Sequence, residues 1–283
     1  MEVAKIGDDE IWYKGYGPDQ YVYYARKGPE KFLGGTFEVE TKEELERASE
    51  ISGAGSIEDM TGAPGGGKLL TITDPEGYSF NIVWGQQPAQ AKTAPEKLPL
   101  NYEVEKERVR KFQRFQPGPA AVYKLGHFGY CSTKFDDLVS FYTHNFNIVP
   151  SDCIYVTKDS QRQVGTVFFH LDLGKTMVDH HCFFISANST AHVRHCSFEV
   201  HDYDTQNMGH QWLAQQGYES VWGVGWHVLG SQIFDYWWDT TGNMVEHYAD
   251  GDLVNGETPV AYVEAGSESL AVWGPELPAT FMQ

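Results

Sequence analysis

The sequence has few cysteines, few basic residues and no long apolar run, and each shortage excludes a class of protein. The four cysteines are too sparse for a disulfide scaffold and show no C-x-x-C spacing, so we expect buried free thiols at Cys131, Cys153, Cys182 and Cys196. No stretch approaches the roughly 20 apolar residues of a membrane helix. The first residues also lack the apolar core of a signal peptide. We therefore expect a cytoplasmic protein.

The shortage of positive charge limits the partners of the chain. Asp and Glu number 39 against 21 Lys and Arg, which gives a formal charge of -18, and no basic stripe interrupts this excess. Nucleic acid and anionic membranes are therefore excluded as expected partners. With 283 residues, of which 41% are hydrophobic, the chain can bury a sizeable core and has room for about two domains.

Composition along the chain predicts four segments. Residues 86–116 are rich in Pro, Gln, Lys and Glu and form the expected linker. An N-terminal domain over residues 1–85 precedes the linker, and a C-terminal domain over residues 117–252 follows it. The tail, residues 253–283, has little periodicity, and we expect an irregular segment that packs on the second domain.

A strand followed by a helix and further strands occurs three times, which predicts an α+β fold built from tandem modules. Helices are predicted over residues 41–49, 136–146 and 205–216, the first opening with a Thr-x-x-Glu capping box. Strands are predicted over residues 21–25, 69–73, 122–132, 153–156, 165–171, 181–186, 193–200, 231–238 and 243–248.

A fourth module is expected by symmetry, because each domain would need two modules to complete its sheets. Only 33 residues precede Gly34, whereas 68 residues separate His127 from His195. This fourth module, before Gly34, therefore lacks its opening strand and helix. Either the natural chain is longer at its N-terminus, or the first domain is remodelled and exposes an unpaired strand edge.

One pattern occurs in both halves and carries metal-binding residue types only in the second. The first copy covers residues 36–39 and 74–81, and the second covers residues 197–200 and 239–246. Aligned on these segments, Gly34 stands opposite His195 and Asn81 opposite Glu246. The first copy is therefore interpreted as structural and the second as chemical.

Three residues of the second half form the candidate metal site. His127 and His195 lie at equivalent points near the start of two modules, and Glu246 lies on the last strand. Two imidazoles and one carboxylate on one face of an ion leave positions open for substrate and dioxygen, as in non-heme Fe(II) oxygenases. The spacing is long-range, so the fold must bring the three residues together.

Several segments around these residues resemble the type I extradiol ring-cleavage dioxygenases of the vicinal oxygen chelate superfamily. The segments are Gly126–Tyr130, His180–Phe184, Arg194–Val200, Phe234–Tyr236 and Gly242–Glu246. The resemblance covers residues 117–252 and extends more weakly over residues 13–85, where this family carries a non-catalytic domain. It implies tandem βαβββ modules that form two domains with open barrel-like sheets.

The resemblance also implies roles for individual residues. His127, His195 and Glu246 would bind Fe(II), or Mn(II) as in some members, and a catechol and dioxygen would be the substrates. His181 would be the acid–base histidine beside dioxygen. His227 would form a hydrogen bond with the substrate, and Tyr236 would stabilise its ionised hydroxyl. A homo-oligomer is expected, as in most members.

Alternatives remain open at the level of residues and of function. Neighbours in a strand face opposite sides, so only one of His180 and His181 can face the site, and we select His181. Tyr236 lies in an aromatic run that is also typical of a core. The scaffold is shared by metal-dependent isomerases and lyases of the glyoxalase type, and a non-catalytic metal-binding protein is a third reading. The identity of the catechol is left open.

Overall fold

The computed structural model describes residues 1–90 and 92–282, and within them nineteen strands and three α-helices form. The strands are β1 (Glu2–Ile6), β2 (Glu10–Lys14), β3 (Tyr23–Arg26), β4 (Gly35–Glu38), β5 (Ala54–Asp59), β6 (Lys68–Thr73), β7 (Ser79–Trp84), β8 (Val122–Ser132), β9 (Ile148–Lys158), β10 (Gln161–Leu171), β11 (Val178–Asp179), β12 (Phe183–Ala187), β13 (His192–Val200), β14 (Ser220–His227), β15 (Ile233–Trp238), β16 (Met244–Ala249), β17 (Leu253–Val254), β18 (Ala261–Glu264) and β19 (Ala271–Trp273). The helices are α1 (Lys42–Ala48), α2 (Phe135–Asn145) and α3 (Tyr203–Gln215). Each of these helices is too short or too polar to cross a membrane.

Three βαβββ modules follow one another along the chain. The first contains β4, α1 and β5–β7, the second β8, α2, β9, β10 and β12, and the third β13, α3 and β14–β16. In every module the opening strand pairs in parallel with the closing strand, as β4 with β7, β8 with β12 and β13 with β16. The expected α+β fold with repeated modules is confirmed.

The second and third modules share one ten-stranded sheet. Its order is β18-β9-β10-β12-β8-β13-β16-β15-β14-β19, and β8 pairs with β13 in an antiparallel manner at the module junction. Strands β18 and β19 at the two ends come from the tail, and β17 pairs with β11. The expectation of an irregular tail was therefore wrong, because the sheet ends offer unpaired backbone groups that tail residues satisfy.

The first module is arranged differently from the other two. Its four-stranded sheet has the order β4-β7-β6-β5, so β4 lies at an edge, whereas β8 and β13 lie in a sheet interior. Strands β1, β2 and β3 form a separate antiparallel sheet. Between Trp84 and Val122 the described residues form one isolated bridge and no helix or strand.

The N-termini of α1 and α2 are capped in different ways, the first by neighbouring residues and the second by a residue of another module. At α1 the predicted capping box is present, since Thr41 Oγ1 accepts from the backbone N–H of Glu44 and the Glu44 carboxylate accepts from that of Thr41. At α2 the N-cap residue, Lys134, supplies no side-chain cap. Instead the carboxylate of Glu76, from the first module, accepts the backbone N–H groups of Thr133 and Lys134 at 2.9 and 3.0 Å.

The largest core cluster also joins the first two modules. Leu45, Leu70, Ile72 and Phe80 of the first module pack with Phe128, Tyr130, Leu138, Tyr142 and Phe183 of the second. Within this core the Tyr142 hydroxyl donates to Asp74 Oδ2 at 2.9 Å, which satisfies two buried polar groups. The first module is thus packed against side chains of β8, α2 and β12 in the second module.

Candidate metal centre

Strand register brings the three predicted ligands to one place. His127 on β8 lies opposite Ser197 on β13, and Ser197 lies opposite Glu246 on β16. His195 is two residues before Ser197 and therefore on the same face of β13. The side chains of His127 and Glu246 meet above Ser197, a small, fully buried residue that leaves them room.

The donor atoms of these side chains are close together. The Nε2 atoms of His127 and His195 are 3.1 Å apart. Glu246 Oε2 is 3.0 Å from Nε2 of His127 and 3.5 Å from Nε2 of His195. Among the residues that the structure describes, His127, His195 and Glu246 form the group of side chains that could hold a metal ion.

These residues fit a divalent ion. Donors about 2.1 Å from one ion and at right angles to each other would be about 3 Å apart, which is close to the observed spacing. Glu246 is fully buried, and neither of its oxygens accepts a well-formed hydrogen bond from the described residues. A buried carboxylate without such partners is costly, and a bound cation would offset that cost.

The ionisation of the donors suits metal binding. Burial lowers the pKa of His195 well below its ordinary value, so its imidazole is neutral at neutral pH, the form that binds metals. At Glu246 burial acts to raise the pKa, but the imidazoles of His127, His195 and His227 outweigh it and lower the pKa to about 2. The carboxylate is therefore ionised.

A phenyl ring occupies the position that symmetry relates to Glu246. The antiparallel pairing of β8 with β13 exchanges His127 with His195 and Gly129 with Ser197. Gly129 pairs with Phe184 on β12 as Ser197 pairs with Glu246 on β16. Phe184 offers no donor atom, and its ring centroid is 4.9 Å from that of His195. The candidate centre therefore offers three donor side chains instead of the four that the symmetry allows.

The structure places His181 beside the centre and corrects the reasoning that selected it. Its ring centroid is 4.1 Å from that of His127. However, β12 begins only at Phe183, so His180 and His181 precede the strand and do not point to opposite sides. Both are buried, and their Nδ1 atoms are 3.1 Å apart. Burial lowers the pKa of His181 well below its ordinary value, so this imidazole is neutral.

His227 and Tyr236 lie on the other side of the centre as a hydrogen-bonded pair. His227 Nδ1 donates to the backbone oxygen of Leu270 at 2.8 Å, which leaves Nε2 as an acceptor. The Tyr236 hydroxyl is 2.9 Å from this Nε2 and donates to it. Burial, together with the nearby Glu246, raises the pKa of Tyr236 well above its ordinary value, so the phenol is neutral.

The equivalent positions of the first module contain no ligands. Asn81 on β7 pairs with Thr36 on β4 in the same parallel arrangement that pairs Glu246 with Ser197. Its amide accepts from Thr71 Oγ1 at 2.7 Å and donates to the backbone oxygen of Leu33 at 3.0 Å. At Gly34 a Cβ atom would lie 2.4 Å from the backbone oxygen of Ser79. A histidine cannot be accommodated there without moving the backbone.

Sequence reasoning assigned no role to four residues around the centre. Ser197 could have been found from its place two residues after His195 on an alternating strand. Phe184 could have been found by applying the symmetry of the modules. Asp152, whose Oδ2 is 3.0 Å from His180 Nε2, left no local signal because only tertiary pairing brings it there. His180 was noticed and set aside on an assumption about strand geometry.

Comparisons with known proteins agree with this architecture. No protein-family model matches the chain. Mn(II)-bound glyoxalase from Novosphingobium aromaticivorans has a similar structure, with a TM-score of 0.77 at 19% identity over 99% of this chain and 84% of that chain. The complex of homoprotocatechuate 2,3-dioxygenase from Brevibacterium fuscum with 3,4-dihydroxyphenylacetate gives a TM-score of 0.77 at 15% identity, over 99% and 83%. The chain therefore has the vicinal oxygen chelate fold.

A protein with a similar sequence indicates which enzymes of this fold the chain resembles. Metapyrocatechase 2 from Cupriavidus necator is 34% identical over 117 residues, which are 41% of this chain and 36% of that enzyme. The matched region thus spans about a third of the length of that relative. The resemblance to the type I extradiol ring-cleavage dioxygenases is confirmed.

Proposed function

We propose that this protein is an Fe(II)-dependent extradiol dioxygenase that opens a catechol-type ring next to its diol and incorporates both atoms of dioxygen. The observation that carries the proposal is the cluster of His127, His195 and Glu246 with Phe184 at the fourth symmetric position. Three ligands with a phenyl ring in place of a fourth leave coordination positions open, as ring cleavage requires. The relative named metapyrocatechase supports the same class of reaction.

Each of the surrounding polar residues has a part in the proposed reaction. A redox-active ion at this centre, Fe(II) or alternatively Mn(II), would supply the electron transfer that a closed-shell ring and dioxygen cannot perform directly. The neutral imidazole of His181 holds and returns a proton beside the centre. His227, with Nε2 as an acceptor, accepts a hydrogen bond from a catechol hydroxyl. Tyr236 then turns its hydroxyl proton from His227 towards the ionised oxygen of the substrate.

A metal-dependent isomerase or lyase of the glyoxalase type is the second candidate. It is favoured by the structural similarity to the Mn(II)-bound glyoxalase. Such enzymes generally use metal sets richer in carboxylates, whereas this centre contains Glu246 as its one carboxylate ligand. A protein that only binds metal is a third candidate. It would have no use for a buried acid–base histidine at residue 181.

Oxygen consumption separates these candidates. The protein is reconstituted anaerobically with Fe(II) or Mn(II), mixed with a panel of catechols and exposed to ¹⁸O-labelled dioxygen. We expect uptake of one dioxygen per ring opened, a yellow product and two labelled atoms in that product. Turnover without oxygen uptake would support the isomerase, and binding of metal with no reaction on a broad panel would support the third candidate.

The setting of the enzyme is also proposed. We infer a cytoplasmic homo-oligomer that acts on a small catechol, on the basis of the resemblance to ring-cleavage dioxygenases. Light scattering coupled to size-exclusion chromatography tests the assembly, and a monomeric mass would contradict it.

A further inference from the structure

A line of buried side chains leads away from His181 on the side opposite to His227 and Tyr236. His181 Nδ1 is 3.1 Å from His180 Nδ1, and His180 Nε2 is 3.0 Å from Asp152 Oδ2. All three residues are less than a tenth exposed. Buried polar groups in such a line must each find a donor or an acceptor, so their protons are coupled.

The positions of the protons follow from the acceptor at the end of the line. The carboxylate of Asp152 can only accept, so His180 carries a proton on Nε2. A His180 ring with a single proton, held on Nε2, has none on Nδ1, and this atom then accepts from its neighbour. His181 must therefore carry its own proton on Nδ1, which leaves Nε2 of His181 with a free lone pair.

The backbone around His180 is held from several directions. Its N–H donates to the carbonyl of Asp252 at 2.9 Å, and its carbonyl accepts from the hydroxyl of Ser151. The Ser151 proton is used in that contact, so the hydroxyl oxygen accepts from Nδ1 of His170 at 2.7 Å. A Cβ on Gly230 would lie 3.0 Å from His180 Nδ1, which shows how closely this segment is packed. The line is therefore built into the fold instead of being a chance contact.

We propose that His180 and Asp152 are positioning residues that set the tautomer of His181, so that its Nε2 is free to accept a proton during ring cleavage. The proposal rests on the proposed function for the role of His181, but the tautomer itself does not depend on any reaction. His227 reaches the same state through the carbonyl of Leu270. His181 and His227, on either side of the centre, thus both carry their proton on Nδ1. The backbone oxygen of Leu270 sets this arrangement in His227, and the carboxylate of Asp152 sets it in His181 through the imidazole of His180.

The tautomer can be read without turnover. The full-length protein is labelled with ¹⁵N and loaded with Zn(II), and two-dimensional NMR spectra identify which ring nitrogen of each histidine carries a proton. The His181 signals are assigned by their loss in His181→Phe. We expect His181 to be protonated on Nδ1 only. A neutral His181 protonated on Nε2 would overturn the proposal.

Replacing Asp152→Asn tests whether the carboxylate controls the line. The amide nitrogen can donate to His180 Nε2, which moves the His180 proton to Nδ1 and the His181 proton to Nε2. We therefore expect the second tautomer of His181 to appear. In a His180→Phe background the same replacement should change nothing, because the connecting imidazole is gone. Asp159→Asn, an exposed change on the same β9–β10 hairpin, is the matched control. The amide oxygen of the asparagine can still accept from His180 Nε2, whereas Asp152→Leu leaves no acceptor, so unchanged His181 signals in both variants would refute the coupling.

Kinetics of the Fe(II) protein provide the second readout. Removal of such supporting groups costs about 10–100-fold in activity in other metal sites. We expect Asp152→Asn to lower kcat by about tenfold, with metal content and KM unchanged, since the residue touches neither metal nor substrate. A changed tautomer with an unchanged kcat would overturn the catalytic part of the proposal. If wild-type protein opens no ring, the proposed function fails while the NMR result still decides the tautomer.

Discussion

Glu246→Gln is the replacement that tests the metal centre most directly. Glu246 is the one anionic member of the candidate cluster, it is fully buried, and its Oε2 lies within 3.5 Å of both imidazole Nε2 atoms. Glutamine has nearly the same shape, so the surrounding strands need not move. The change removes the charge that offsets part of the charge of the ion, and it should therefore weaken metal binding while the protein stays folded.

The size of the effect follows from the linkage between binding and folding. A ligand at about 100 times its Kd stabilises the folded state by about 2.7 kcal/mol. Replacement of supporting residues weakens metal binding by about 10–100-fold, and loss of a ligand itself should reach at least the upper end of that range, about 100-fold. The same metal concentration then equals the new Kd and stabilises by only about 0.4 kcal/mol. The difference of about 2.3 kcal/mol corresponds to a metal-induced rise in Tm that is smaller by about 5–9 °C.

The assay is thermal unfolding with and without Mn(II), at a free concentration about 100 times the wild-type Kd. Comparing the metal-induced shift within each protein removes any effect of the replacement on the metal-free fold. Glu257→Gln, which removes an exposed carboxylate near Lys175, is the control and should keep the wild-type shift. A wild-type shift in Glu246→Gln would refute the assignment of this residue as a ligand.

Three further replacements test other parts of the structure. Glu76→Gln should lower the free energy of unfolding in urea by about 1–2 kcal/mol at pH 7, because the carboxylate caps α2. Burial opposes ionisation of Glu76, but the hydrogen bonds that its carboxylate accepts outweigh burial and lower its pKa. The difference in free energy of unfolding between wild type and Glu76→Gln should therefore vanish as the pH falls through that lowered pKa. Gly34→Ala should destabilise by more than about 1 kcal/mol, since φ is 102° and the backbone oxygen of Ser79 blocks a Cβ. Gly66→Ala, with an open surrounding, should cost less, and equal losses would contradict the steric argument. Tyr236→Phe should keep the metal and lower kcat by about 100-fold, and an unchanged kcat would exclude a hydrogen bond to the reacting oxygen.

Local sequence patterns were sufficient to predict helices and strands whose formation depends on residues close in the sequence. The strand predicted over residues 122–132 has those bounds in the structure, and the capping box of Thr41 and Glu44 is formed. Strand β14 was missed because Gly223 and Gly225 interrupt its apolar pattern, although its pairing with β15 stabilises it. Tertiary pairing outweighed the low strand propensity of glycine there.

The candidate site required information beyond local patterns. The numbers of residues that separate His127 from His195 and Glu246 in the sequence do not by themselves indicate a metal site. It was the repeat that identified these residues, because equivalent positions of two modules meet where the modules join. Asp152 could not be found in this way, since its place beside His180 depends on the register of β9 and β10, which shifts twice along their length. Such irregularities have no periodic signature in the sequence.

The position of β8 and β13 in the interior of the ten-stranded sheet determines when the metal centre can form as the protein folds. The ligands extend from residue 127 to residue 246, and no single module contains all of them. An ion therefore cannot act as a template for either module alone, because its ligands assemble only after both have folded and joined edge to edge. A fragment that ends before β16 would lack the carboxylate. A metal ion held by these three residues would thus load only on the finished sheet, and slow hydrogen exchange of the β8–β13 amides should accompany it.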